Sequence, residues 1–202
     1  MSQSVTKLTR DFYLRPTLTV ARGLIGKYLV FKTGGTLLSA RLVEVEAYIG
    51  ESDPACHAAV GKTQRNEVMY GMGGFSYIYF IYGMYNCLNV VTEKEGFPAA
   101  VLVRGAEPVD GIDIMKSRYS NPVANKLTNG PGKICRAFGL TRKHNGLDLV
   151  GEDLYLEDRD YKPSKIERTS RIGIKKGTEK TWRFFEPTSD YVSVRQRKNT
   201  FV

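Results

Sequence analysis

Two glutamates close together in the segment VEVEAYIG, residues 43–50, are the first candidates for chemistry in this sequence. A carboxylate can accept a proton from water as a general base, an effect worth on the order of 100- to 10,000-fold in rate. We therefore predict that Glu46 is a catalytic base, with Tyr48 beside it. Glu44 is its competitor, because two neighbouring carboxylates could form an acid–base pair of the glycosidase kind. The alternative interpretation is that both glutamates are solvated residues of a strand face.

The residues around these glutamates have the composition and alternation of a β-strand. Successive side chains of a strand point to opposite faces of the sheet. The prediction puts Leu42, Glu44, Glu46 and Tyr48 on one face, and Arg41, Val43, Val45 and Ala47 on the other. The two glutamates are therefore expected to point the same way.

His57 follows Glu46 by eleven positions, at the start of a loop-like segment. A hydrogen-bonding or ring-stacking role near the carboxylate is compatible with that spacing. Metal binding needs three or four ligands, and the three cysteines and the other histidine are scattered along the chain, so we predict no metal site. An odd number of cysteines without a CxxC pair also argues against a disulfide framework and favours an intracellular protein, cytoplasmic or nuclear.

The chain is basic, but the segment around the glutamates is acidic. The formal net charge is +9, and residues 161–202 hold eleven Lys and Arg against four Asp and Glu. Such a surplus commonly attracts a polyanion, because neutralised phosphates release counterions; a basic surface that only confers solubility is the alternative. Residues 41–57 instead hold four acids against one arginine, which predicts an acidic pocket. Since neither a secretion signal nor a long apolar stretch is present, no membrane association is expected.

The segment YIYFIYGMYNCLNVV, residues 77–91, places four tyrosines around one glycine. Two β-rich runs separated by Tyr82 and Gly83 predict a hairpin with these residues at its tip. Aromatic residues at every second position usually pack in a core, and we expect this of Tyr77. Tyr82 is different, because a ring at a hairpin tip can enter a stack of bases, where stacking is worth about 1–3 kcal/mol. That is comparable to the few kcal/mol needed to flip a nucleotide out of a duplex.

Two short segments suit phosphate binding. GKTQRN, residues 61–66, offers Thr63 and Arg65, and NGPGK, residues 129–133, offers Lys133. In the second segment a proline can open a helix whose free N–H groups favour an anion. The spacing is not that of a P-loop, so an ordinary turn followed by a helix cap is the alternative.

The remaining pattern predicts one α+β domain over residues 1–202, whose last nine residues form a tail. A helix is expected over residues 17–26 with Thr17 as its cap, and a hairpin is expected to turn at residues 34–35. Further elements are expected as strands at 99–108 and within 171–187, and as helices at 110–119 and 134–138. Strands clustered with few helices favour a mainly antiparallel, curved sheet with surrounding helices and a protruding β-hairpin.

Five segments in this order carry a resemblance to a known family: VEVEAYIGESDPACHAAVGKTQRN, YIYFIYGMYNCLNVV, VLVRGAEP, NGPGKICRA and RIGI…WRF. From about residue 10 to residue 193 the chain resembles the alkyladenine (3-methyladenine) DNA glycosylase family. The resemblance implies a monofunctional enzyme that flips alkylated or deaminated purines out of double-stranded DNA and hydrolyses the N-glycosidic bond in base excision repair. It also implies a monomer that needs neither metal nor cofactor.

The resemblance implies a role for each matching position of the base pocket. Glu46 matches the general base that activates water. Tyr48, His57 and Tyr79 match the walls that sandwich and hydrogen-bond the extruded base. Asn89 matches the residue that hinders normal guanine through its 2-amino group.

Two further positions match residues that contact the DNA itself. Tyr82 matches the wedge that fills the vacated stack, and Arg104 matches an arginine near the phosphate of the flipped nucleotide. The chain departs from the family pattern at Gly105, Ala106, Ser170 and the pair Tyr85-Asn86. These departures leave the expected chemistry intact and bear on the range of lesions.

Two other function classes stay open at the level of sequence. A non-catalytic nucleic-acid-binding module is favoured by the basic residues of 161–202. A hydrolase that uses Glu44 and Glu46 as a carboxylate pair on free sugars or nucleosides is the third possibility.

Overall fold

Nine strands form one antiparallel sheet in the computed structural model, which describes residues 5–194. The strands are β1 Thr6–Lys7, β2 Tyr28–Thr33, β3 Thr36–Ile49, β4 Ser76–Ile81, β5 Tyr85–Val91, β6 Ala99–Asp110, β7 Leu154–Asp158, β8 Glu167–Thr169 and β9 Arg183–Phe185. Their order is β1-β7-β2-β3-β6-β5-β4, and β9 pairs with both β3 and β8. The predicted antiparallel α+β arrangement is confirmed. Residues 195–202 of the predicted tail lie outside the described residues.

Four α-helices accompany the sheet within the described residues. They are α1 Arg10–Tyr13, α2 Thr17–Leu24, α3 Ile112–Ser117 and α4 Pro131–Phe138. Single 3₁₀ turns are present at His57–Val60, Glu67–Tyr70, Ala124–Lys126 and Arg142–His144. No helix of residues 5–194 is long and apolar enough to cross a membrane. Apolar residues of α2 and α4 pack with those of the sheet in the main hydrophobic core.

The ends of α2 and α4 show one wrong and one correct prediction. Thr17 is the first helical residue of α2, so Pro16 takes the cap position and no side chain caps the helix. The Thr17 hydroxyl instead donates to Glu93 Oε1 at 2.5 Å. Thr17 therefore ties the helix to the loop after β5 and does not cap it. Helix α4 begins at Pro131, as predicted, and ends at Gly139, whose φ of 72° is in the left-handed region that glycine adopts freely.

The pairing of β3 with β6 is interrupted by register shifts on either side of Glu44. Such a bulge adds a residue to one strand and breaks the period of two. Leu42 therefore packs in the main core together with Val45. Val43 packs instead in a separate small cluster with Phe185. The predicted face assignment is wrong for residues 41–43, since all of them precede the bulge.

Both predicted hairpins form. Strands β2 and β3 are joined by Gly34 and Gly35, which have φ values of 54° and 76° and make the two-residue turn that such values favour. Strands β4 and β5 pair as far as Ile81 and Tyr85, so Tyr82 lies in the loop at the hairpin tip. The Tyr82 side chain is 78% exposed, as its predicted position requires.

The segment from Arg171 to Trp182 contains no strand, although more strand was expected there. The N–H of Ile172 donates to the carboxylate of Glu46 and so is not available to a strand partner. Regular pairing is found at β8 and β9, on either side of this segment.

Gly111, between β6 and α3, offers a test of how tightly the end of β6 packs against β3. It has a φ of +72°, and a Cβ there would meet the Leu38 side chain and lie 2.8 Å from the Leu37 carbonyl oxygen. We expect Gly111→Ala to lower the free energy of unfolding by about 3 kcal/mol, because left-handed strain and overpacking add. Gly34→Ala is the matched control, since a Cβ there meets nothing within 4 Å. Urea unfolding should show a loss of only about 1 kcal/mol for the control, and equal losses would contradict the packing argument.

Candidate active site

One row of paired residues crosses five strands and forms the centre of the site. Arg183, Glu46, Leu102, Asn89 and Tyr77 occupy successive strands β9, β3, β6, β5 and β4 as direct partners. Directly opposed residues in an antiparallel sheet place their side chains on the same face. The sheet register therefore brings together side chains that lie up to 137 positions apart in the sequence.

A cavity of about 620 Å³ lies on this face of the sheet. This volume is within the range of about 300–1,000 Å³ that is typical of small-molecule sites. Its lining, which we call the aromatic cavity, includes the predicted residues Tyr48, His57, Tyr79, Tyr82, Asn89 and Arg104, together with Tyr77, Cys87, Leu102, Pro131 and residues 172–176. The structure thus brings six of the predicted site residues to one place.

Glu46 is immediately behind the wall of the aromatic cavity and is fully buried. Its Oε1 accepts a hydrogen bond from the Ile172 N–H at 2.6 Å. Its Oε2 accepts from the Tyr48 hydroxyl at 2.9 Å and from Arg104 Nη1 at 3.3 Å. All three donors belong to residues that line the cavity. Only this lining therefore separates the Glu46 carboxylate from the interior of the cavity. The alternative of a solvated strand face is excluded for Glu46.

The pKa of Glu46 is raised above its ordinary value. Burial is the main cause, because it disfavours the charged form, and Arg104, the Ile172 N–H and the Tyr48 hydroxyl oppose it. Burial, followed by the adjacent Glu46 carboxylate, also raises the pKa of Tyr48, which keeps that hydroxyl a donor. The site therefore holds a carboxylate that takes up a proton more readily than a solvated glutamate.

The predicted acidic pocket is wrong, because arginines from distant segments neutralise its buried carboxylates. Arg104 is 8% exposed and bridges both glutamates, with Nε 3.3 Å from Glu44 Oε1. Arg183 donates from Nε to the same Glu44 oxygen at 2.6 Å. Arg104 was expected near a phosphate; the structure places it beside the carboxylates, and its contact with phosphate stays a prediction.

Glu44 does not act with Glu46 as an open carboxylate pair. It is fully buried, does not line the cavity, and has both oxygens engaged by protein donors. Oε2 accepts the Ser193 N–H at 2.5 Å, while Oε1 accepts from Arg183. The arrangement does not support the third function class, which needs both carboxylates free to transfer protons.

His57 and two tyrosines form one wall of the cavity. His57 Nδ1 is 2.8 Å from the Tyr77 hydroxyl, and its ring meets Tyr79 edge-on at a centroid distance of 4.5 Å. Burial, followed by the charge of Arg65, lowers the pKa of His57 to about 4, so the imidazole is neutral at pH 7. Tyr77 packs as predicted, but its contact with His57 was missed, although its alternation with Tyr79 indicated a shared face.

A segment with the sequence RIGIKKG, residues 171–177, covers the cavity from the other side. Arg171 is fixed by a bidentate ion pair with Asp53, at 2.5 and 2.8 Å, and by a hydrogen bond to the Ala47 carbonyl at 3.0 Å. This anchor places the Ile172 N–H against Glu46. In the sequence this motif carries only its family resemblance, and nothing near it signals the pairing with Asp53, 118 positions away.

Apart from Arg104, the predicted phosphate contacts do not line the cavity. Thr63 hydrogen-bonds to Asn66 through its N–H at 2.7 Å, and Arg65 lies over the Tyr79 ring at 5.3 Å. Lys133 donates to Asn129 Oδ1 at 2.7 Å, next to the cavity residue Pro131. Their roles stay predictions. Within residues 5–194 no group of three or more His, Cys, Asp or Glu is placed to hold a metal ion.

The Asp53–Arg171 pair yields a prediction about stability and pH. Burial opposes ionisation of Asp53, but the bonds from Arg171 outweigh it and lower the pKa of this carboxyl. Asp53→Asn should therefore cost about 3 kcal/mol of unfolding free energy at pH 7, because it leaves a buried guanidinium without its counter-charge. The exposed acid Glu152, changed to Gln, is the control and should leave the urea midpoint unchanged.

The pH dependence of this loss follows from its sign. A depressed folded pKa contributes stability above the ordinary aspartate pKa of about 3.9, and the contribution disappears as the pH falls through the folded value. The difference between wild type and Asp53→Asn should shrink below about pH 4. A difference that stays constant in urea titrations across this range would rule out the ion pair as its source.

The chain matches a known protein family and named relatives over most of its length. The family model described as methylpurine-DNA glycosylase matches residues 11–190. A protein of Methanocella arvoryzae is 50% identical over 195 residues, covering 93% of this chain and 96% of its own. A protein of Alkaliphilus oremlandii is 46% identical over 199 residues, covering 93% and 98%. The names of both contain the words "3-methyladenine DNA glycosylase". The chain therefore belongs to the methylpurine-DNA glycosylase family and is a DNA glycosylase.

Proposed function

We propose that the protein removes damaged purines from double-stranded DNA by hydrolysing the N-glycosidic bond of a nucleotide flipped into the aromatic cavity. The observation that carries the proposal is the position of Glu46, a buried carboxylate at the wall of an aromatic cavity, held by donors that line it. The purine class is suggested by the names of the relatives, which refer to 3-methyladenine.

In the proposed reaction Glu46 is the general base for water. The water oxygen bonds to C1′ of the sugar while the bond from C1′ to the base nitrogen breaks, and its electron pair leaves with the base. The proton of the water passes to Glu46, which must be ionised beforehand. A carboxyl whose pKa is raised by burial suits this role, because base strength increases with pKa. The Tyr48 hydroxyl donates to Glu46 Oε2. We expect the attacking water to displace this hydroxyl and to bind Oε2 in its place.

The cavity wall suits an electron-poor purine. Alkylation at a ring nitrogen leaves a cationic base, which departs readily and stacks well on tyrosine rings such as Tyr48 and Tyr79. His57 is neutral at pH 7, so it places no positive charge against such a base. One carboxylate is then sufficient, since a cationic base needs no proton in order to leave.

Asn89 is the proposed filter against normal guanine. Its Nδ2 donates to the Tyr77 carbonyl at 3.1 Å, which fixes the side-chain amide on the cavity floor. A fixed group can exclude an extra 2-amino group by steric contact, whereas a mobile one would move aside. Hypoxanthine and alkyladenines lack that amino group, so the filter spares them.

Outside the cavity the protein offers groups for the DNA backbone. Lys175 and Lys176 are exposed residues of the cavity rim, and Thr63, Arg65 and Lys133 lie nearby. We propose that these residues contact the phosphates on either side of the flipped nucleotide. Phosphate contacts of this kind position a protein on DNA and carry no base specificity.

Release of the base by a Glu46 variant tests the proposed chemistry. Purified wild-type protein is expected to release 3-methyladenine from methylated duplex DNA, or hypoxanthine from a duplex oligonucleotide, and to leave abasic sites. Glu46→Gln keeps the size of the side chain but accepts no proton, so the single-turnover rate should fall about 100-fold or more.

Glu51→Gln is the control for this experiment, because Glu51 is an exposed acid of the same segment that hydrogen-bonds to the Tyr70 hydroxyl. It should release bases at the wild-type rate. Equal rates for wild type and Glu46→Gln would show that Glu46 is not the base. Salt-sensitive DNA binding by a wild-type protein that forms no abasic sites would favour the non-catalytic binding module instead.

Tyr82 is the proposed wedge, since its exposed ring is at the tip of the β4–β5 hairpin. Tyr82→Ser should slow excision of a paired lesion about tenfold or more, because stacking of about 1–3 kcal/mol no longer offsets flipping. Excision from single strands should change little. Val123→Ser, an exposed apolar residue far along the chain from the hairpin, is the control. Equal slowing on double and single strands would contradict the wedge.

A further inference from the structure

The last segment that the structure describes, residues 189–194, lies across β6 beside the two glutamates. A Cβ at Gly105 would lie 2.6 Å from the Tyr191 carbonyl oxygen and 3.1 Å from Glu44 Cβ. Only a glycine lets the segment approach the strand this closely without displacement. The segment is therefore packed against the strand that carries Arg104.

Ser193 makes three hydrogen bonds in this position. Its N–H donates to Glu44 Oε2 at 2.5 Å, and its hydroxyl donates to Glu44 Oε1 at 2.9 Å. The same hydroxyl oxygen accepts from Arg104 Nη2 at 3.3 Å. Since the hydroxyl donates on one side and accepts on the other, its orientation is fixed by both neighbours.

Arg104 is thereby held at three of its nitrogens. Nε faces Glu44, Nη1 faces Glu46, and Nη2 faces the Ser193 hydroxyl. Each contact is 3.3 Å long, so none of them alone fixes the planar guanidinium. Of the three partners of Arg104, Ser193 is the uncharged one. Ser193 also hydrogen-bonds to Glu44, the carboxylate that competes with Glu46 for the guanidinium.

We propose that Ser193 is a positioning residue that holds the Arg104 guanidinium against Glu46 and so sets the charge environment of that carboxylate. The inference deepens the proposed function and rests on it, because it assigns the C-terminal segment a part in excision. Ser193 does not line the aromatic cavity, so it acts through Arg104 and not on the substrate.

Loss of the hydroxyl should change the ionisation of Glu46 in one direction. Arg104 is the largest influence that lowers the pKa of Glu46 against its burial. Without the Ser193 hydroxyl, the Arg104 guanidinium is drawn towards Glu44 and lowers the pKa of Glu46 less. The acid limb of the activity profile, where the rate rises as Glu46 ionises, should therefore move to higher pH. The other charged or titratable groups around Glu46 are Glu44 and Tyr48 on β3, Tyr79 on β4, Arg171 of the covering segment and Arg183 on β9. Of these, Ser193 hydrogen-bonds to Glu44, and Arg183 donates to the carbonyl of the next residue, Val194, at 2.7 Å.

The test compares Ser193→Thr with Ser193→Val, which have the same shape and differ in the hydroxyl. Single-turnover release of hypoxanthine from a duplex oligonucleotide is measured from pH 5 to pH 9, together with the Kd for that duplex. We expect Thr to retain the wild-type profile. Val should move the acid limb up by about half a pH unit, which lowers the rate about threefold on that limb and little on the plateau, with an unchanged Kd. Thr188→Ala, an exposed position of the adjoining chain, is the control for mutation there.

The outcomes separate this proposal from the proposed function. A wild-type protein that releases no base would refute the function itself. With an active wild type, identical profiles for Thr and Val would overturn the positioning role. So would a Val variant whose rate falls equally at every pH, because that is the behaviour of a purely structural residue. Ser193→Ala should shift the acid limb as Ser193→Val does. If Ser193→Ala does not fold, the comparison of Ser193→Thr with Ser193→Val still tests the positioning role.

Discussion

The rest of the site depends on the compensation of one buried charge. Glu46 is fully buried, and an unpaired carboxylate in that position would cost several kcal/mol and remain protonated. Arg104 supplies the opposite charge, while Tyr48 and the Ile172 N–H supply hydrogen bonds. The compensation is incomplete, because the pKa is still raised. A carboxylate that is neither fully neutralised nor solvated is one that can take up a proton, and the surrounding structure maintains this intermediate state.

Each donor to Glu46 is delivered by a different part of the fold. Arg104 comes from β6, the direct neighbour of β3, where the register shifts beside Glu44, and it contacts both carboxylates. Ile172 comes from a segment without strand, which Arg171 anchors to Asp53. A buried pair of this kind adds little net stability but is costly to break, so it specifies position. The ion pairs thus use contacts between distant segments to fix the position of one carboxylate.

The sequence was sufficient for those parts of the site that follow local rules. Alternation placed Glu46 and Tyr48 on one face, and the Tyr82-Gly83 pair marked the tip of a hairpin. The sequence was not sufficient at residues 41–43. The bulge there depends on pairing with β6, and the alternation of residues within β3 does not reveal it. The acidic pocket failed for a similar reason. Its counter-charges are up to 139 positions away and do not appear in the composition of residues 41–57.

The charges of the protein are divided between its outside and its cavity in a way that suits the proposed substrate, a cationic base in an anionic polymer. The chain carries a net charge of +9, and exposed lysines lie at the cavity rim. Inside, Arg104 is balanced by carboxylates, and burial keeps His57 neutral. A uniformly basic cavity would attract DNA equally well but would repel an alkylated purine at close range, where charges are least screened. The buried arginine that holds Glu46 is therefore balanced within the site, because Glu44 and Glu46 both lie against Arg104 and Glu44 is shared with Arg183.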